Sequence, residues 1–277
     1  MDTHEMDGSV ATALAHGPLA MAGITVLVGH AGVGKTNLVL NLALAQARAG
    51  LSVTLADLDL VNPYFRSSDY ANALETAGVR LIAPLFARTA LDTPSMGGEL
   101  DGAIAAVGAR LAQAARGVTG DAAGTQAPRL IIDVGGDDLG ATALGRYARA
   151  LQAADARMLY VVSAFRTLTS TPKEAVEVLH AIEGHAHLQA CGVVNCSNLA
   201  GQTTVADVEQ GRIFSRAVAE LADLPLVATV APASLRDELE PMVAPEAPTT
   251  PGPANSASQM PREPLIFVER FVRPPWE

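Results

Sequence analysis

Short, largely apolar runs of β-type residues recur along the chain, at 24–28, 52–56, 79–83, 130–132, 158–162, 192–194 and 226–230. Each is apolar on both alternations, the pattern of a strand that helices cover on both faces. Ala-rich stretches with room for helices lie between them, at 35–49, 97–117, 139–154, 172–183 and 205–222. This alternation predicts an α/β fold in three layers: a mostly parallel, twisted sheet of about seven strands with right-handed crossovers and helices on both faces.

Two segments depart from that rhythm. Residues 1–22 begin with acidic positions and lack the basic start and apolar run of a secretion signal, so they are expected to form a flexible leader. Residues 241–264 hold seven of the 17 prolines and read as an exposed linker. Residues 23–240 are left as one globular domain. Residues 265–277, LIFVERFVRPPWE, are expected to be an arm that docks on the domain or on a partner, with Leu265–Val272 read either as a strand or as such an arm. Pro274 and Pro275 end any regular structure there, and the sole tryptophan, Trp276, is expected to cover a surface groove.

Composition narrows the class. Of 277 residues, 49% are apolar and 17% charged, which excludes a disordered chain, a coiled coil and a collagen-like rod. A net charge of −10 argues against nucleic acid as a partner, because non-specific binding needs basic surface. No apolar run reaches the ~20 residues that span a bilayer, so no membrane partner is expected and the expected location is cytoplasmic. The two cysteines, Cys191 and Cys196, fit a reducing compartment. Their C-x4-C spacing offers too few ligands for a zinc or cluster site within one chain, and they read as buried thiols.

Only two of the 19 basic residues are lysines, Lys35 and Lys173. Lys35 closes the string GHAGVGKT, which fits G-x-x-x-x-G-K-[ST] with Gly29, Gly34, Lys35 and Thr36 in place. Such a loop turns its main-chain N–H groups of residues His30, Ala31, Gly32, Val33 and Gly34 toward phosphate oxygens, and the following helix adds the positive end of its dipole near Asn37. Lys35 brings a charge to the β- and γ-phosphates, and the Thr36 hydroxyl can ligate Mg²⁺. A dinucleotide loop is excluded by the missing third glycine, since Asn37 stands where G-x-G-x-x-G needs one.

Acidic residues follow two strands. Asp57 and Asp59 are expected at the tip of the second strand, on one side of it and next to the first strand's loop if those strands are neighbours. One would serve Mg²⁺ through water and the other would orient attacking water. The fourth strand ends in Asp133, and Asp133-Val134-Gly135-Gly136 fits DxxG, in which the Asp serves Mg²⁺ and the last glycine amide meets the γ-phosphate. Asp137 and Asp138 read as helix-start acids. The end of the sixth strand gives Asn195, Cys196, Ser197 and Asn198, which lacks the Lys and Asp of the guanine-reading N-K-x-D, so ATP is favoured.

With GHAGVGKT, DLDLVNPYFRS and IIDVGGDD together, the chain resembles the MinD/ParA-type (SIMIBI-class) branch of P-loop NTPases. More narrowly it is similar to a bacterial and archaeal group carrying GHxGxGKT, DLDxVNPYFRS, DVGGDDxGATALGRY and a terminal PPW. The likeness covers residues 23–232 and the tail. It implies ATP and Mg²⁺ as cofactors, a metal site at Thr36, Asp57 and Asp133, and a water-positioning role for Asp59. It also implies a switch glycine at Gly136, an adenine contact at Asn195 and a base-pocket residue at Pro232. One position departs from the pattern: His30 stands where the branch carries a lysine that reaches across a nucleotide-sandwich homodimer, and a short, mostly neutral imidazole cannot supply that charge.

Residues 62–66 read as a switch-like segment in which Arg66 reaches a phosphate, a partner or a surface carboxylate, and Arg166 reads the same way. Thr169 or Ser170 is expected to cap the helix that Pro172 opens. The resulting expectation is a Mg²⁺-dependent ATP-binding protein and slow ATPase that acts as a nucleotide switch for a protein partner. A ligase or kinase of the dethiobiotin-synthetase type acting on a small acid, and a non-hydrolysing nucleotide-binding subunit, are the competing readings.

Overall fold

A computed structural model describes residues 17–19, 22–59, 70–83, 98–116, 128–243 and 263–272. Arg66 and its neighbours, Trp276 and most of the expected leader and linker lie outside the described residues. Eight strands form one sheet: β1 (Ile24–Val28), β2 (Val53–Leu58), β3 (Arg80–Ile82), β4 (Arg129–Val134), β5 (Arg157–Val162), β6 (Ala190–Asn195), β7 (Leu226–Pro232) and β8 (Leu265–Val268). Their order is β3-β2-β4-β1-β5-β6-β7-β8, and every pairing is parallel.

Among the described residues, eight α-helices accompany them: α1 (Lys35–Arg48), α2 (Ala71–Thr76), α3 (Glu99–Ala115), α4 (Asp138–Gly145), α5 (Ala148–Ala153), α6 (Pro172–Ala186), α7 (Val205–Leu221) and α8 (Arg236–Val243). Alternate strand residues divide between two cores. Leu27, Leu55, Ile131 and Leu159 pack with α1 on one face. Val26, Ala56, Ile132 and Met158 pack with α3 to α6 on the other. At about 25 cal/mol for each Å² of apolar surface buried, these two layers are the main favourable term in folding.

The structure corrects several expectations. The sheet has eight strands and is parallel throughout, because the segment after the prolines adds β8 beside β7. The expected helix 139–154 is two helices, α4 and α5. α2 spans six residues, too few to show a 3.6-residue period in the sequence. α8 contains Pro241, which has no N–H to give to the preceding turn of the helix. The α6 cap is Thr171, in a capping box with Glu174, rather than Thr169 or Ser170. Finally, β2 does not adjoin β1: β4 lies between them.

Candidate functional site

The first turn of α1 opens into a cavity of about 690 Å³. Its N-cap is Gly34, at φ 100°, a conformation glycine adopts freely, and no side chain caps the helix. α6 and α7, by contrast, close their first turns with Thr171 and Thr204 capping boxes. The leading N–H groups of α1, with the positive end of its dipole, therefore face the cavity. Lys35 is 6% exposed, and its Nζ donates to the Gly29 carbonyl at 2.8 Å and the His30 carbonyl at 3.0 Å. A third ammonium N–H remains for the cavity. Burial pushes the Lys35 pKa below its ordinary value against the opposing pull of Asp133, Asp59 and Asp137.

The register of the sheet brings the carboxylates together. Asp57 pairs with Asp133 across β2 and β4, and Asp133 pairs with Leu27 across β4 and β1, so both carboxylates rise on the α1 face. Both are buried. Asp59 lies one residue beyond β2, and its N–H donates to Asp57 Oδ1 at 3.0 Å, so the chain turns there and Asp57 and Asp59 do not share a strand face. Asp59 lines the cavity while Asp57 sits beneath it. Gly136 backs directly on the loop: a side chain there would collide with the Ala31 backbone. Asp137 also lines the cavity and caps α4, its Oδ1 accepting from Gly140 N at 2.8 Å.

The other end of the cavity is built from three segments. Asn198 and Ala200 follow β6, Pro232 ends β7, and Glu269 and Arg270 follow β8. Two asparagines one turn apart on α1 hold the last of these segments. Asn41 Oδ1 accepts from Glu269 N at 2.9 Å, and Asn37 Oδ1 accepts from Phe271 N at 2.9 Å and Val272 N at 3.2 Å. Both amide groups also donate to the Glu269 carbonyl. Glu263, just before β8, is clamped by Arg212 Nε at 2.7 Å and an Arg216 guanidinium nitrogen at 2.8 Å, with Thr229 Oγ1 donating at 3.0 Å. Burial raises the Glu263 pKa, but the two arginines outweigh it and hold the carboxyl at about 2.

Of the residues named from sequence, Ala31, Gly32, Gly34, Lys35, Thr36, Asn37, Asp59, Gly136 and Pro232 line one cavity. Gly29 lies against Val161 at the end of β1, and Val33 is buried in the α1 core. The cavity lining does not include His30, whose Nδ1 lies 3.0 Å from the Ala31 carbonyl. Asn195 is also outside the lining: it is fully buried, accepting from Ser197 N at 2.9 Å and donating toward Thr229 Oγ1 at 3.4 Å. Sequence reasoning did not place Asp137, Asn198, Glu269 or Arg270 at the site. Asn198 had a signal, since it stands at the Asp position of N-K-x-D. Cys196 is buried, but Cys191 is only partly so. Among the described residues no helix is long and apolar enough to cross a membrane.

Residues 24–230 match the family model described as CbiA, CobQ/CobB/MinD/ParA nucleotide binding domain. No curated protein matches the chain. Among solved structures, it is similar to the signal recognition particle 54 kDa protein from Aeropyrum pernix in complex with GDP, at 18% identity and TM-score 0.43, over 74% of this chain and 40% of that one. It is also similar to the signal recognition particle receptor FtsY from Elizabethkingia anophelis in complex with GDP, at 19% identity and TM-score 0.45, over 79% of this chain and 63% of that one. FtsY from Thermotoga maritima gives 16% identity and TM-score 0.44, over 81% and 68%. The chain thus spans less than two thirds of the first two of these proteins.

Proposed function

Because this chain belongs to the CobQ/CobB/MinD/ParA nucleotide-binding domain family, we propose that it is a Mg²⁺-dependent ATP-binding protein and slow ATPase acting as a nucleotide switch for a protein partner. The observation that carries this reading is the uncapped start of α1, with Lys35 and Thr36 opening into a cavity that Asp59 and Gly136 also line. The main-chain N–H groups of the loop and of α1 bind the phosphates. Lys35 keeps its two loop carbonyls and offers its third N–H to the β/γ bridge.

Asp59, Asp133 and Asp137 lie near enough to act on Lys35, and Asp57 stands in register with Asp133, so a bare triphosphate would be repelled and a divalent cation is needed to bring them together. Among the described residues no three metal-ligating side chains converge. That suits Mg²⁺, which is held by one or two protein oxygens, waters and phosphate rather than by a protein cage. Thr36 would ligate it directly, and Asp57 and Asp133 through water. Held there, the cation would supply charge neutralisation to the transferring phosphoryl group. Asp59, at the cavity wall, orients the attacking water.

Adenine is favoured over guanine because Asn198 replaces the Asp of N-K-x-D, and an amide cannot accept the paired donors of guanine as a carboxylate does. The Asn198 Nδ2 is moreover committed to the Cys196 carbonyl at 2.8 Å. The switch reading rests on the backbone packing of Gly136 against Ala31, which couples the loop to α4. Leu139 and Leu168, exposed at 62% and 68% just after the cavity-lining Asp137 and Arg166, offer apolar contacts to a partner.

Calorimetry with ATP and GTP, with and without Mg²⁺, paired with a phosphate-release assay, tests this. ATP should bind about tenfold more tightly than GTP, only with Mg²⁺, and release should be slow and lost in Asp59→Ala with binding retained. Fast turnover without a partner would favour the ligase or kinase reading. Tight binding with no release at all would favour a non-hydrolysing subunit.

A further inference from the structure

Two arginines that line the cavity, Arg166 and Arg270, have no role in the scheme above, and Arg166 is the one that lies against the loop. Arg166 lies four residues past β5 and lines the cavity with Gly32 and Lys35. Its guanidinium rests across the loop: a methyl built on Gly32 would stand 3.4 Å from Nε and 3.6 Å from Cζ. Nε is buried, and among the described residues it has no hydrogen-bond partner. The surface ion pair that sequence also allowed for Arg166 is not formed with any described residue. A buried, unpaired guanidinium N–H is costly unless a ligand supplies its acceptor. Burial lowers its pKa, but from a value so high that the group stays charged.

The loop has a direction within the cavity. Its Gly34 end faces the base side, where Asn198 Nδ2 would lie 3.5 Å from a methyl on Gly34. Its His30–Ala31 end, just before Gly32, faces Gly136, the DxxG glycine. Arg166 sits at that second end. His30, at the loop position where a second cation would otherwise stand, is not part of the cavity lining.

We propose that Arg166 is a phosphate-binding residue that contacts the terminal phosphate of a nucleoside triphosphate held by its own chain, across Gly32. The proposal rests on the nucleotide reading of the cavity. A planar guanidinium suits two oxygens of one phosphate, so Arg166 distinguishes a triphosphate from a diphosphate and makes that discrimination within a single chain.

The test is calorimetry of the full chain with Mg²⁺·ATP and Mg²⁺·ADP, for the natural protein, Arg166→Ala, Arg166→Lys and Lys35→Ala, with a thermal melt of each variant without nucleotide. Arg166→Ala should weaken ATP by about tenfold or more and ADP by less than about threefold, and Arg166→Lys should recover part of the loss. Equal losses for the two nucleotides, or no loss, would overturn the proposal. Should Arg166→Ala fail to fold, Arg166→Lys decides: a loss confined to ATP supports the proposal, and unchanged or equally changed affinities overturn it. Lys35→Ala separates the two layers, because unchanged ATP affinity there brings down the nucleotide reading itself.

Discussion

At the scale of single residues, Lys35 shows binding capacity held at the expense of stability. Its folded pKa lies below its ordinary value of 10.5, chiefly through burial. A cation shifted in that direction detracts from stability at low and neutral pH, and the penalty is relieved as pH rises through the folded pKa toward 10.5. Lys35→Met should therefore leave the nucleotide-free melting temperature unchanged or higher while weakening ATP by about 100-fold, read by thermal melts and calorimetry. Cys196 is the opposite kind of group. Burial pushes its thiol up to about 12 despite the Lys35 charge, so it stays protonated and inert at pH 8. Alkylation followed by peptide mass spectrometry should mark the half-buried Cys191 first and leave Cys196 unlabelled. The glycines and lysine of the loop were legible in sequence because their spacing is itself the backbone chemistry. Asn195 was not, since spacing along the chain does not say whether a strand-end amide faces a cavity or a buried Thr229 hydroxyl and Ser197 N–H.

At the scale of elements, β8 and the segment after it are held by polar groups as much as by their apolar side chains. Ile266, Phe267 and Val268 enter the α1 core, and the Arg236 guanidinium lies 5.1 Å from the Phe267 ring centre. Glu263, Asn37 and Asn41 fix the two ends of the segment. Removing one partner of a buried ion pair strands the other, so Glu263→Gln should cost about 3 kcal/mol and lower the melting temperature by roughly 6–12 °C. The carboxyl is held at about 2 against an ordinary 4.5. A depressed acid contributes stability that is fully present above about 4.5 and is lost as pH falls through about 2. Melting curves from pH 6 to pH 2 should show the natural protein losing its advantage over Glu263→Gln within that window. None of this could be read from the sequence, where Glu263 stands at the end of a proline-rich stretch. Its two arginines lie 47 and 51 residues before it.

At the scale of the molecule, the parallel sheet and its helices were legible because the strands are apolar on both alternations, as strands covered on both faces must be. Strand order was not. Apolar runs do not encode neighbours, and the placement of β4 between β1 and β2 is what puts Asp133 in register with both Leu27 and Asp57. α2 and α8 are too short for periodicity to find them, and β8, readable as a strand from its apolar run, gave no sign that it pairs beside β7.

The wall that β8 and residues 269–272 give the cavity has a consequence for biogenesis. A ribosome makes the phosphate loop more than two hundred residues before the segment that walls it. A nascent chain that has not yet released residues 263–272 carries an open, half-built pocket, so competence for ligand arrives only once that segment has emerged rather than with the loop.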